Sequence, residues 1–350
     1  MVCKKLEQLS PNEILARDIV TDDIRVILPK GATLKPEYIR KLHELGIEKV
    51  YVQNNDIRQK RIVILKDEVE EKIKNKVKEI LEKHTYRHNQ ELEELCQEAD
   101  RIIGIIVQED EVIEQVYDIK ERSADIYEHS LNMCSLSVLT ALKLKLSQNM
   151  IHDIGVGCLL HDIGMRYLST DYENHNLLSI SEGDLAEYKK HPIYGYYALK
   201  DEEWISDISK NIILYHHERM DGSGFPLRAT TLPVHVQIVN ICDAFDEMIC
   251  GIGCKKVKVY EAIEYLKNFK NKMFSGKIVD LFLQFTAVYP VGSKVITSEG
   301  EQAVVISQNK GFTNRPVLRI VTDKDGNDVE EEVIKDLIKI HSLFIEKVIE

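Results

Sequence analysis

The sequence predicts a mainly helical protein: a helical-bundle domain with a small α+β module before it and a small β-rich module after it. Three observations carry this. Residues 121 to 288 repeat apolar side chains at helical spacing almost without a break. Earlier, "DIRVILPKGATLKPEYIRKLHELGIEKVYV" reads as strand, turn, helix and strand. Beyond "YPVG" at 289–292, "SKVITSEGEQAVVISQN" and "PVLRIVTDKDGNDVEEEVI" alternate apolar and polar residues around glycine turns, the period of strands.

In order, residues 1–60 form the N-terminal α+β module. A Pro-Lys-Gly turn at 29–31 leads to a helix whose apolar face is Leu34, Ile39, Leu42 and Leu45, with Gly46 as its C-terminal stop. Residues 61–120 are charged linker helices, in which Val69, Ile73, Val77 and Ile80 recur every three to four positions among Glu and Lys. That spacing suits a seam between two chains as well as a helix packed on its own domain, and the linker is expected to carry a homodimer contact. Residues 121–288 are the helical domain and 289–350 the β-rich module. Within the latter, Asp323, Asp325 and Gly326 suggest a calcium loop, but the glycine falls fourth rather than sixth and strands flank it, so a hairpin turn is expected.

Composition narrows the functions. Hydrophobic residues at 44% and charged residues at 30% of 350 describe an ordinary soluble globular chain. No run of ~20 apolar residues predicts a membrane span, and the N-terminus lacks the apolar core of a signal peptide, so the cytoplasm is the expected compartment. Seven cysteines without a C-x-x-C pair predict reduced thiols and argue against a thiolate zinc site. A net charge of −12 opposes binding of DNA or RNA polymers. A small anionic ligand stays open if metal ions and a few lysines reverse the field locally.

The helical region holds the residues that call for chemistry. His129 opens a long helix in "DIYEHSLNMCSLSVLTALKL", and His161-Asp162 stand where the apolar helix of "IHDIGVGCLLHDIGMRYL" ends. His191 sits near a helix start with Pro192 in the first turn, His216-His217 follow the apolar run of "NIILYHHERMDGSGFP", and Asp243 lies inside the apolar helix "VQIVNICDAFDEMICG". Any one histidine reads most simply as a structural residue, as His152 and His235 do. A carboxylate in an apolar helix needs a partner, however, and adjacent imidazoles diverge by about 100° on a helix, so both serve one site only if it is wide. Imidazoles with carboxylates and no thiolates suit iron, manganese or zinc, and the carboxylates favour the first two. A carboxylate such as Asp162 can bridge two ions, and two ions activate water for in-line attack on phosphorus.

The order H…HD…H…HH…D, with "HDIG", "HP", "HHERMDGSGFP" and "CDAFD" at their separations, resembles the HD-GYP branch of the HD phosphohydrolase superfamily over about 121–288. The resemblance implies an HD-type helical bundle and a hydrolase of cyclic di-GMP, a bacterial signalling nucleotide. It would be a phosphodiesterase giving linear pGpG or GMP through a metal-bridging hydroxide, with His161 and Asp162 at the catalytic centre. It assigns His129, His161, Asp162 and Asp243 to the core metal site and His191, His216 and His217 to a second ion. Asp125, one turn before His129, would serve a third. Glu218 and Arg219 would orient the turn; Gly222, Gly224, Phe225, Pro226 and Lys255 would meet substrate. A protein partner in second-messenger signalling is a further implication.

The sequence departs from the pattern at three places. Phe225 replaces the tyrosine of GYP, which removes a phenol and keeps a ring. Met165 stands where the family has a phosphate-contacting lysine, and Ile252 where it has an arginine; Lys256 and Lys258 are nearby candidates to compensate. Charge-assisted contacts are worth ~1.5–3 kcal/mol each. Two alternatives therefore stand beside the phosphodiesterase: a nucleotide-binding or redox sensor or effector with weak catalysis, and a hydrolase of another cyclic nucleotide or a nucleoside phosphate. The intact ligand set favours the phosphodiesterase.

Overall fold

The computed structural model describes residues 2–6, 9, 14–16, 18–20, 26–47, 49–52, 61–83, 90–108, 115–119, 124–169, 177–329 and 331–349. The junction expected at residues 120 and 121 lies outside the described residues. The chain divides into two compact units, Met1–Arg61 together with Val291–Glu350, and Ile62–Pro290.

In the first unit, strand β1 (Val2–Lys5) pairs antiparallel with β4 (Lys49–Val52), and β2 (Ile19–Val20) with β3 (Val26–Leu28). Helix α1 (Pro36–Glu44) has Pro36 in its first turn, Glu37 near its positive end and Lys41 and His43 near its negative end, as the helix dipole favours. Leu34 and Leu42 are buried with Val50 and Val52, and Ile39 packs against them. Leu45 departs from the expected apolar face: it is 53% exposed, because it caps the helix one step past the last turn. Gly46 then reverses the chain with φ +73.

The C-terminal residues of this unit build an antiparallel sheet ordered β8-β7-β6-β5-β9, from β5 (Lys294–Thr297), β6 (Gln302–Asn309), β7 (Phe312–Thr322), β8 (Ile334–Asp336) and β9 (Ile345–Ile349). Alternation places Val305, Leu318 and Ile320 inward. Asp323 lies in a turn: its Oδ1 accepts the N–H groups of Asp325 and Asn327 at 2.9 and 2.8 Å. The carboxylate thus closes a turn, as expected of a hairpin.

The second unit is helical: α2 (Asp67–Lys83), α3 (Glu94–Val107), α4 (Ile126–Lys143), α5 (Gln148–Leu160), α6 (Glu182–Tyr188), α7 (His191–Leu199), α8 (Asp207–Tyr215), α9 (Val234–Cys250), α10 (Val259–Asn268) and α11 (Gly276–Leu283). Ser147, Ser181 and Ser206 cap α5, α6 and α8 through their side chains, satisfying N–H groups the helix leaves open. Helix α4 packs on α5 and α9, and α5 on α8.

Ile73, Val77 and Ile80 of α2 are fully buried in the same core as Leu131, Leu159 and Phe245. This corrects the reading of that face as a seam between chains: the chain's own helices cover it, and an apolar stripe carries no label for which partner it meets. At the base of the core Phe245 and Phe282 meet edge to face at 5.0 Å, and Phe282 and Phe285 at 5.3 Å. Cys96, Cys134, Cys158, Cys242, Cys250 and Cys254 are free thiols. Among the described residues, no helix is long and apolar enough to cross a membrane.

Phe282 is fully buried between two other rings. Phe282→Ala is expected to cost about 3–5 kcal/mol in urea unfolding. A loss below about 1 kcal/mol would show that this ring stack does not anchor the bundle.

Candidate metal centre

The helix ends of the second unit deliver the histidines. Leu160 ends α5, and His161 caps it, so that Asp162 leaves the helix into a tight 3-10 turn, Ile163–Tyr167. His191 begins α7, and His216 caps α8. His129 lies in the first turns of α4, and Asp243 is mid-helix in α9. Glycine makes one close approach possible: a Cβ on Gly164 would overlap the His191 carbonyl and the Gly195 nitrogen. That contact brings the Asp162 turn against the start of α7.

Backbone carbonyls set the histidine tautomers. His161 Nδ1 lies 2.8 Å from the Cys158 oxygen, His191 Nδ1 2.9 Å from the Tyr188 oxygen, and His216 Nδ1 3.0 Å from the Ile213 oxygen. A carbonyl only accepts, so each Nδ1 donates, and a neutral ring then offers Nε2 as a bare lone pair. Those lone pairs converge on other acceptors. His161 Nε2 is 3.0 Å from Asp162 Oδ2, while His191 and His216 Nε2 are 3.3 and 3.6 Å from Asp162 Oδ1. His191 Nε2 and His216 Nε2 face each other at 3.1 Å. Acceptors at such distances repel unless a proton or a metal cation stands between them.

A second set adjoins. His129 Nδ1 donates to Asp246 Oδ2 at 2.8 Å, and its Nε2 lies 3.3 Å from Asp243 Oδ1. His217 Nδ1 lies 3.4 Å from Asp243 Oδ2. Three groups therefore have ligand atoms within 4.8 Å of one another: Asp162 with His191, His216 and His217; His129 with His161 and Asp243; and His217 with Asp243 and Glu247. Asp162 directs one oxygen at His161 and the other at His191 and His216, the posture of a bridging carboxylate.

Burial and charge act against each other here. Burial pushes the Asp162 carboxyl up, but the imidazoles of His161, His191 and His216 outweigh it and hold it well below the usual range. Burial likewise raises Asp243, and His217 and His129 pull it well below. Burial lowers His129, yet hydrogen bonds to Asp243 and Asp246 raise it well above its ordinary value. Burial, reinforced by neighbouring imidazoles, lowers His216 and lowers His217 further. Burial raises Glu247, and the Asp243 charge adds to it. The donor set fits a divalent cation: His161 Nε2, His217 Nε2 and both Asp243 oxygens are buried with no hydrogen-bond partner among the described residues.

Asp125 lies elsewhere. It caps α4, its Oδ1 accepting the N–H groups of Tyr127 and Glu128 at 3.0 Å each, and Lys74 lies 3.8 Å from its other oxygen. This corrects its expected place at a third ion: a carboxylate before a helix start serves the open N–H groups nearest to it. His152 pairs with Asp100 at 2.7 Å, outside the groups, and His235 is also outside them.

The "HHERMDGSGFP" segment forms a loop around Glu218. The Glu218 carboxylate accepts the N–H groups of Leu227 and Ala229 at 2.6 and 2.9 Å. Arg219 Nη1 donates to the His216 and Glu218 carbonyls at 3.2 and 2.9 Å. Asn240 Nδ2 also donates to the Glu218 carbonyl. Gly222 has φ +76, and a Cβ on Gly224 would overlap backbone of His217, Glu218 and Arg219. Phe225, joined to Pro226 by a cis peptide, lies with its ring 4.5 Å from that of His217. Lys189 Nζ stands 5.6 Å from the centroid of the same Phe225 ring. Met165 and Ile252 are half-buried, Ile252 packing on the core, and Lys255 is exposed in the turn after α9.

Sequence reasoning passed over Asp246, Glu247 and Asn240. The signal was present: Asn240, Asp243, Asp246 and Glu247 recur at three- and four-residue spacing in an otherwise apolar helix, which lines them along one face.

Residues 107–278 match the family model described as HD domain, and residues 295–350 match one described as KOW domain associated with HD domain. A cyclic di-GMP phosphodiesterase of Pseudomonas aeruginosa is 26% identical over 60% of this chain and 51% of its own length. A cyclic di-GMP phosphodiesterase of Thermotoga maritima is 28% identical over 50% and 48%. A 3'3'-cGAMP-specific phosphodiesterase of Vibrio cholerae is 31% identical over 36% and 24%. The chain thus spans about half the length of the first two relatives. An HDG"Y"P protein of Bdellovibrio bacteriovorus shares the fold, with a TM-score of 0.51 at 19% identity over 80% of this chain and 97% of that one.

Replacing Glu218 with Ala removes the acceptor for two loop amides. Faster hydrogen exchange at Leu227 and Ala229 is expected, with a loss of about 1.5–3 kcal/mol per charge-assisted bond. Unchanged exchange at both amides would mean that the loop is held by other contacts.

Proposed function

We propose, on the premise that residues 107–278 are an HD domain with the HD-GYP order of residues, that the chain is a metal-dependent phosphodiesterase that hydrolyses cyclic di-GMP to linear pGpG or onward to GMP. One observation carries the reading: the Nε2 atoms of three buried imidazoles, His161, His191 and His216, face one carboxylate, Asp162. Imidazoles and a carboxylate converging in this way are a donor set suited to divalent cations.

On this reading His129, His161, Asp162 and Asp243 hold one ion and His191, His216 and His217 complete another, with Asp162 shared. Two or three divalent ions, iron or manganese by the carboxylate-rich donor set, would supply Lewis acidity, acidifying water and neutralising phosphoryl oxygens. The carbonyls of Cys158, Tyr188 and Ile213 keep the rings in the tautomer that leaves Nε2 free. Asp246 does the same for His129 through its Nδ1.

Hydrolysis adds water across one P–O bond of the ring, hydroxyl to phosphorus and proton to the leaving ribose oxygen. The Glu218-centred loop, with Gly222, Gly224, Phe225 and Pro226, would form one wall for the nucleotide, and the Phe225 ring offers a face for base stacking. Lys189 beside that ring and Lys255 after α9 supply positive charge where Met165 and Ile252 do not. A chain of net charge −12 suits a small cyclic dinucleotide better than a polymer.

A second substrate has an observation behind it: the Vibrio cholerae relative is named for 3'3'-cGAMP. A panel of cyclic dinucleotides, assayed with iron- or manganese-loaded protein, separates the two. Preferential turnover of cyclic di-GMP is expected. Turnover is also expected to fall to background on chelation and in Asp162→Ala, which removes the shared carboxylate. A fully metal-loaded protein that binds the nucleotide and releases no product would instead establish a sensor.

A further inference from the structure

The third ligand group contains a residue that the HD-type reading does not use. We propose that Glu247 is a metal ligand and that, with His217 and Asp243, it gives this chain an ion position on the α9 side of the centre. The inference rests on the metal-dependent reading above and adds a ligand to it.

Glu247 follows Asp243 by one turn of α9, so both carboxylates lie on one face of the helix. An oxygen of each and a ring nitrogen of His217 lie within 4.8 Å of one another. Ligands held at about 2.0–2.2 Å from one ion sit no more than about twice that apart, so small side-chain rotations bring the three onto one centre. The second observation is independent of that spacing. His217 is 5% exposed and Asp243 fully buried, yet His217 Nε2 and both Asp243 oxygens lack a hydrogen-bond partner among the described residues.

Electrostatics point the same way. Asp243, Asp246 and Glu247 bring carboxylates together within five residues of a helix whose other positions are largely apolar. Asp246 is matched by His129 Nδ1. Arg219 directs Nη1 to the carbonyls of His216 and Glu218. A neutral imidazole has one lone pair for a metal, so on this proposal His217 serves the ion beside Glu247 while Asp162, His191 and His216 keep the second, and Asp243 is shared through its two oxygens; Glu247 is the ligand exclusive to this group among the described residues. The residue expected to bind a third ion, Asp125, is occupied in capping α4.

The test counts ions. Wild type, Glu247→Gln and Asp125→Asn are purified anaerobically and loaded with Mn²⁺. Bound metal per chain is read by mass spectrometry of the metal and by electron paramagnetic resonance titration, and folding is checked by circular dichroism. The expected result is three ions in wild type, one per ligand group, two in Glu247→Gln, and three in Asp125→Asn. Equal counts in wild type and Glu247→Gln overturn the proposal and leave the metal-dependent reading standing. Loss of an ion in Asp125→Asn also overturns it, by moving the third ion to the start of α4, and does so even if Glu247→Gln fails to fold. A wild type that binds no ion sinks the metal reading itself.

Discussion

Facing lone pairs are the constraint on which this domain depends. Three imidazoles with their Nδ1 protons already given to backbone carbonyls turn bare Nε2 atoms toward Asp162 and toward each other, at 3.0 to 3.6 Å. In a medium of low polarity that arrangement costs several kcal/mol unless positive charge occupies the middle. The fold spends its rigidity on it. The histidines come from helix ends, where ring protons reach the carbonyls of the preceding turn, and the Gly164–Gly195 approach holds Asp162 against α7.

Around that centre, hydrogen bonds are made to backbone more than to side chains. Glu218 closes its loop by taking two amides, and Arg219 ties the same loop through carbonyls. Neither competes for the imidazoles. Asp246 is different, because it reaches the ring of His129 itself and orients it. The aromatic face of Phe225 on His217 keeps one side of the centre apolar and strengthens the electrostatics within.

The departures from the HD-GYP pattern also have a physical shape. Ile252 packs on the core, so its position adds burial where the family pattern has a cation. Glu247, in the same stretch of chain, adds negative charge instead. Positive charge stands instead at Lys189, over the Phe225 ring, on the segment between α6 and α7.

Much of this was legible in the sequence because its causes are local. Helical period, the strands after "YPVG", the glycines of the "DGSG" turn and the capping serines act over a few residues, and the order of His and Asp residues carried the family resemblance. Three things were decided only by tertiary structure. The stripe of Ile73, Val77 and Ile80 could face a second chain or its own bundle, and only packing determined that it is buried in the chain's own core, with α2 against α3 and α4. Asp125 could reach a metal or an N-terminus, and the nearer open N–H groups took it. Glu247 had no marker of its own beyond its spacing from Asp243, and it became part of the centre because α9 and the His216-His217 corner meet there. Periodicity tells which residues share a face; what that face meets depends on helices distant in the chain.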